Sequence, residues 1–173
     1  HRLIARIECI MLKLPKDLAD DPHHDAIVAA LITNAQKLWS NGRVLVPTLP
    51  FSPRLTDELK RALAHRQAAQ GLELIGDELA REQKGLDALQ DKLGGAKQGS
   101  RLSRLLFMAN DGSERFYRDC DTLLSRYAQR LVGCRLAISG NEMGTALAGE
   151  GRVVRAVMVF DKKAASKALL ALV

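Results

Sequence analysis

Aromatic side chains are scarce: Phe, Trp and Tyr together make up 4% of the 173 residues. That argues against a single-stranded nucleic-acid platform, which stacks bases on aromatic rings. Cysteine is rare too. Cys9, Cys120 and Cys134 are odd in number and far apart, which fits neither a disulfide framework nor the paired spacing of a zinc site. A reducing, cytoplasmic setting is the expectation. No apolar run approaches the ~18 to 20 residues that cross a bilayer, so no membrane partner is expected. The opening HRLIARIECIMLKL is basic and apolar-biased, but charges interrupt it and no small-residue cleavage pattern follows, which disfavours a signal peptide.

Enzyme fingerprints are missing as well. There is no G-x-x-x-x-G-K-[ST], and no G-x-G-x-x-G follows a strand, so neither nucleotide-binding loop is present. Ser139 is flanked as Ile-Ser-Gly rather than as G-x-S-x-G, so nucleophilic catalysis has no support. His23 and His24 are adjacent and would point about 100° apart on a helix, while His65 belongs to another segment. No metal site and no cofactor is expected.

What is present is the composition of a folding chain, 47% hydrophobic and 27% charged. Its length suits one domain that buries about 70% of its unfolded surface. Net charge is +6, and the excess is uneven. Residues 53–100 carry eight Lys or Arg against eight Asp or Glu, whereas residues 101–173 carry twelve against seven, nine of the twelve being arginine. Arginine suits planar, bidentate contact with phosphate or carboxylate.

Along the chain, a weakly strand-like start leads to DDPHHD, which opens a helix expected to run through AIVAALITNAQKLW and to stop at Gly42. RVLVPTLP reads as a short strand that Pro47 pushes toward an edge or an early end. FSPRLTDELKRALAHRQAAQ reads as a helix capped by Ser52. Leu72, Leu79, Leu86 and Leu93 lie seven apart, with Ile75 and Leu89 between them and Glu82 interrupting. That is a helix with the pattern of a coiled-coil arm. GGAKQGS reads as a linker, dividing an N-terminal helical part (1–100) with one or two strands from a compact α/β part (101–173), both within one structural domain. The second part is predicted as strand (RLLFMAN), helix (to a stop at Gly133), strand (CRLAIS), a glycine-rich loop (GNEMGTALAGEG), strand (RVVRAVMVF) and helix (KKAASKALLAL). Strands alternating with helices define an α/β fold, with a mixed or mostly parallel sheet of about four strands.

Two constellations are candidates for chemistry. On an ideal helical wheel Arg115, Arg118, Arg126 and Arg130 fall within a stripe about 120° wide, opposite a core face that includes Cys120, Leu124 and Tyr127. This is an anion-binding candidate, partly neutralised by Asp119. The second lies in two loops. Asp111 and Ser113 follow one strand, and Asn141 and Glu142 follow another. If those strands are parallel, all four share one carboxyl edge, the usual place for α/β sites. The leading expectation is a non-catalytic binding module that engages nucleic acid or a nucleotide through the arginine stripe. One alternative is an enzyme acting on a nucleotide or phosphorylated substrate through Asp111, Ser113, Asn141 and Glu142. The other is an adaptor or homodimer formed through residues 72–93.

Overall fold

The computed structural model describes residues 12–94 and 101–173. Residues 1–11 of the strand-like start and all of the linker except Gly94 lie outside the described residues; the rest of that start forms no strand and carries a single 3-10 turn, Lys16–Leu18. In chain order the elements are α1 (His24–Ile32), β1 (Gln36–Lys37), β2 (Leu45–Val46), β3 (Thr48–Leu49), α2 (Pro53–Ala64), β4 (Ala68–Gln70), α3 (Leu72–Lys92), β5 (Arg104–Met108), α4 (Glu114–Arg126), β6 (Leu131–Leu136), α5 (Gly140–Ala148), β7 (Ala156–Val159) and α6 (Lys162–Leu170). β1 and β2 form a small antiparallel ribbon. The main sheet is mixed, five strands in the order β3-β6-β5-β7-β4. β3, β6 and β5 are parallel, while β7 and then β4 join antiparallel.

The fold is therefore α/β, as its alternating pattern implies. β5 has the continuous apolar run of a strand buried on both faces, and four of its five residues are buried. Leu105 and Phe107 face a core completed by Ile27, Leu55, Leu59, Met143 and Leu169 from α1, α2, α5 and α6. Leu106 and Met108 face the other, completed by Ile75 and Leu79 of α3 and Tyr117, Cys120 and Leu124 of α4. The sheet is thus the middle layer of three.

Several expectations are corrected. The first helix ends at Ile32, because Thr33 is extended and Asn34 takes the left-handed conformation at φ 54°, one that asparagine tolerates. Gly42 is consequently a turn residue of the β1–β2 ribbon. There Asp121, itself buried, accepts hydrogen bonds from the amides of Arg43 (2.9 Å) and Val44 (3.1 Å) and ties the ribbon to α4. RVLVPTLP divides at Pro47 into β2 and β3, which belong to different sheets. AHRQAAQ does not continue α2 but turns at Arg66 and forms the edge strand β4. Gly133 lies within β6 rather than ending α4. A side chain there would press on Leu124 (2.7 Å to Cδ1).

The largest correction concerns GNEMGTALAGEG, most of which, Gly140–Ala148, is the helix α5 and not a loop. Ser139 caps it, its Oγ accepting from the amide of Glu142 at 3.1 Å. Gly140 and Gly144 lie one turn apart on the face crossed by residues 152–155. The amide of Val154 donates to the carbonyl of Gly140 at 3.0 Å. The return segment doubles back along α5 and enters β7 from the carboxyl edge of the sheet, which is why β7 runs antiparallel to β5.

α3 follows its heptad pattern only in its first half. Ile75 and Leu79 are buried, whereas Leu89 and Leu93 are exposed. Glu82, at the interruption, is an ion-pair partner: Arg104 Nε lies 2.8 and 2.9 Å from its two carboxylate oxygens. No helix among the described residues is long and apolar enough to cross a membrane.

Candidate functional site

Because β5 and β6 are parallel neighbours, the turns that follow them emerge at the same edge. α4 leaves β5 toward one face and α5 leaves β6 toward the other, so the two turns diverge at a topological switch point. The structure brings together the two turns that carry the four residues expected there. The amide of Asn110 donates to the carbonyl of Ile138 at 2.9 Å. Asp111 Oδ1 accepts from the amide of Gly140 at 2.8 Å and lies 3.4 Å from Arg155 Nε. Asp111 thus occupies the positive end of α5 with its own carboxylate. Ser113 caps α4, its Oγ accepting from the amide of Phe116 at 3.1 Å. Asn141 and Glu142 are exposed in the first turn of α5.

Tyr117 holds the turn from beneath. Its hydroxyl donates to the carbonyl of Ala109 at 2.6 Å and accepts from the amide of Gly112 at 3.1 Å. Burial holds this phenol above its ordinary pKa. Among the described residues no group of three or more His, Cys, Asp or Glu side chains is placed to hold a metal ion.

The arginine stripe is shorter than the wheel implies. Arg115, Arg118 and Arg126 are exposed on α4, where Glu114 and Asp119 are exposed beside them. Arg118 also lies over the Trp39 ring at 5.7 Å. α4 ends at Arg126, and the chain turns before Arg130, which therefore leaves the stripe and points inward. Arg130 donates to Gln83 Oε1 at 2.8 Å and to the carbonyl of Leu79 at 3.2 Å, and stacks on Tyr127 at 5.0 Å. Burial draws its pKa down against the opposing charge of Glu82.

A stronger concentration of guanidinium groups lies elsewhere. A cleft of about 870 Å³ runs along β4, and Arg66, Arg81, Arg152 and Arg155 line it with a single carboxylate, Glu78. Arg81 pairs with Glu78 and Arg155 with Asp111, while Arg66 and Arg152 have no ion-pair partner among the described residues. Leu74 of α3 and Val153 of the return segment, 60% and 51% exposed, add apolar surface to the cleft. A second cavity of about 230 Å³, between α1, β2 and β6, is lined by apolar residues and carries no ionisable group.

Arg66 has unusual backbone geometry. It follows α2 at φ 58°. Its amide donates to the carbonyl of Leu63 (3.2 Å) and the next amide, of Gln67, to that of Ala62 (2.8 Å). This is the Schellman ending, in which the left-handed position is normally glycine.

The cleft was not among the expected sites. Arg66 and Arg81 come from the charge-balanced segment 53–100, where a count of net charge shows nothing. The one local signal is an arginine in a helix-ending position that favours glycine.

No protein-family model matches the chain. No curated protein matches it either. Among solved structures it is similar to one described as a protein with unknown function from Bacillus halodurans C, at 16% identity and a TM-score of 0.44. The match covers 70% of this chain and 98% of that one.

Proposed function

We propose that the protein is a non-catalytic binding module that holds an anionic partner in the β4 cleft. The observation that carries this reading is the set of four arginines against one carboxylate in a single concave surface. Low-dielectric walls focus such a field and favour negatively charged ligands. The left-handed backbone of Arg66 adds weight, since strained residues cluster where a side chain is needed in one place. By comparison, the exposed face of α4 offers three arginines against two carboxylates.

The test is fluorescence anisotropy with labelled polyglutamate and, separately, a labelled single-stranded oligonucleotide. At least one probe is expected to bind at low salt and to weaken as salt screens the charges. Reversing two charges, Arg66→Glu with Arg152→Glu, should weaken it about tenfold or more. Binding that survives that double variant but is lost with Arg115→Ala and Arg126→Ala would move the site to α4. No binding of either probe at low salt would overturn the proposal.

A second reading, an enzyme acting on a phosphorylated substrate, draws on the shared edge of Asp111, Ser113, Asn141 and Glu142. It is supported less well, because Asp111 Oδ1 is engaged by Gly140 and Arg155 and the two serines at this edge, Ser113 and Ser139, serve as helix caps.

A further inference from the structure

We propose that the partner is an extended acidic peptide that adds to the free edge of β4 as a sixth strand. This rests on the cleft being the binding site and names what fills it.

β4 is a sheet edge, bonded only to β7. The carbonyl of Gln67 accepts from Phe160 and the amide of Gly71 donates to Ala156, both at 3.0 Å. With Ala69 opposite Met158, residues 67, 69 and 71 therefore turn their main-chain groups toward β7. In an antiparallel ladder the alternate residues face the other way, so Ala68 and Gln70 direct their amides and carbonyls outward. Sheet edges are usually protected by charge, proline, a bulge or a covering element. β4, Ala-Ala-Gln, has the protection of being only three residues long, but it carries no charge and no proline, and a cleft runs along it.

The walls define the peptide's chemistry. Successive side chains of an added strand point to opposite faces. Leu74 and Arg81 come from α3, whose Ile75 and Leu79 pack on one face of the sheet, and Val153 and Arg152 come from the return segment, whose Val154 packs on the other. Each side thus offers an apolar group and a guanidinium, that of Arg81 shared with Glu78 and that of Arg152 without an ion-pair partner among the described residues. The matching peptide has two neighbouring apolar residues flanked on both sides by Asp or Glu. A second copy of this chain fits less well, since pairing β4 with β4 would bring two arginine-rimmed clefts together. A nucleic acid would meet the arginines but leave the outward main-chain groups of β4 and the apolar walls unmatched.

The experiment uses the labelled hexapeptide Glu-Asp-Val-Ile-Asp-Glu with the whole protein. It reads anisotropy together with hydrogen exchange of the Ala68 and Gln70 amides by NMR. The peptide should bind in a salt-dependent way and slow exchange at those two amides about tenfold or more. N-methylation at alternate peptide residues should abolish binding when it falls on the paired edge. Gln70→Pro, which removes an outward amide, should weaken it at least tenfold, and the exchange measurement on the unaltered protein stands whether or not that variant folds.

Unchanged exchange at Ala68 and Gln70, or equal binding of peptides methylated in either register, would overturn strand addition. So would an oligonucleotide that binds through Arg66 and Arg152 while the peptide does not, although the anion-binding module would then stand. A concentration-dependent dimer abolished by Gln70→Pro would overturn it in favour of a second copy. Loss of all cleft-dependent anion binding would overturn both proposals.

Discussion

Arg66 has a side chain where the backbone favours none. Left-handed geometry costs a non-glycine L-residue roughly 1–2 kcal/mol, and the Schellman bonds around it fix that geometry. Arg66→Gly should therefore raise stability in urea by about 0.5–1 kcal/mol, part of the relieved strain being offset by glycine's greater freedom in the unfolded chain. The same change should weaken polyglutamate binding, because a guanidinium leaves the cleft. A variant that is less stable, or that binds as tightly, would show that the residue is not held in strain for a ligand. The buried thiols give a second residue-scale expectation. Burial pushes Cys134 from its ordinary 9.0 up to about 12 and raises Cys120 as well. The unfolded chain therefore gives up these protons first. Between about pH 9 and 12 the native state holds more protons than the unfolded one, so stability falls as pH rises, by about 1.4 kcal/mol per pH unit for each thiol. Below pH 9 these two groups add no slope. Urea midpoints at pH 8 and pH 10 should fall further in the natural sequence than in Cys120→Ala/Cys134→Ala. Equal falls would mean that the thiols are not buried as protons.

At the scale of elements, α5 decides which way β7 runs. A Cβ at Gly140 would come within 2.6 Å of Arg155 Cγ, a flexible side chain, but one at Gly144 would collide with the backbone carbonyl of Arg152. Backbone cannot rotate away. Gly144→Ala should therefore destabilise the fold by about 1–3 kcal/mol, the usual cost of overpacking, even though alanine is the better helix former. A urea midpoint at or above that of the natural sequence would show that the return segment can shift. The same helix shows what was legible in the sequence. Its glycines suggest a loop, yet Ser139 and Glu142 are spaced as a capping box, and Gly140 and Gly144 fall one turn apart. β5, β7, α2, α4 and α6 were legible because each combines an apolar period with a clear boundary; Ser52, Ser113 and Asp161 cap their helices as such residues should. β4 was not. Three residues of Ala-Ala-Gln have no strand signal of their own and become a strand only by lying against β7. The shared edge of Asp111 and Glu142 followed from two strands being parallel, which alternation suggests. The cleft could not be read in that way, because its arginines come from the turn after α2, from α3 and from the segment after α5, and only the tertiary fold adds them together.

The whole molecule depends on both halves of the chain. β3 and β4, from before residue 95, form the two edges of a sheet whose centre, β6, β5 and β7, comes from after residue 100. The covering layers are shared in the same way. Leu55 and Leu59 of α2 seal one face together with α5 and α6, and Ile75 and Leu79 of α3 seal the other together with α4. Glu82 of α3 pairs with Arg104 of β5 across the same boundary. The order strand, helix, strand, helix, strand, helix makes residues 101–173 look self-sufficient, but a fragment of that span would leave Leu105, Phe107, Leu106 and Met108 without half of their covering. Each large apolar side chain left in water forgoes about 1.5–3 kcal/mol, and a whole domain is stable by only about 5–15 kcal/mol. The isolated 101–173 fragment should accordingly give a poorly dispersed NMR spectrum and bind hydrophobic dyes, as loosely packed states do. Adding a separate 12–94 fragment should restore dispersion, because the missing strands and helices then return to both faces. A well-dispersed spectrum from 101–173 alone would show that three strands and three helices are enough. It would also make the β4 cleft, whose walls come from both halves, a feature added to a domain that folds without it.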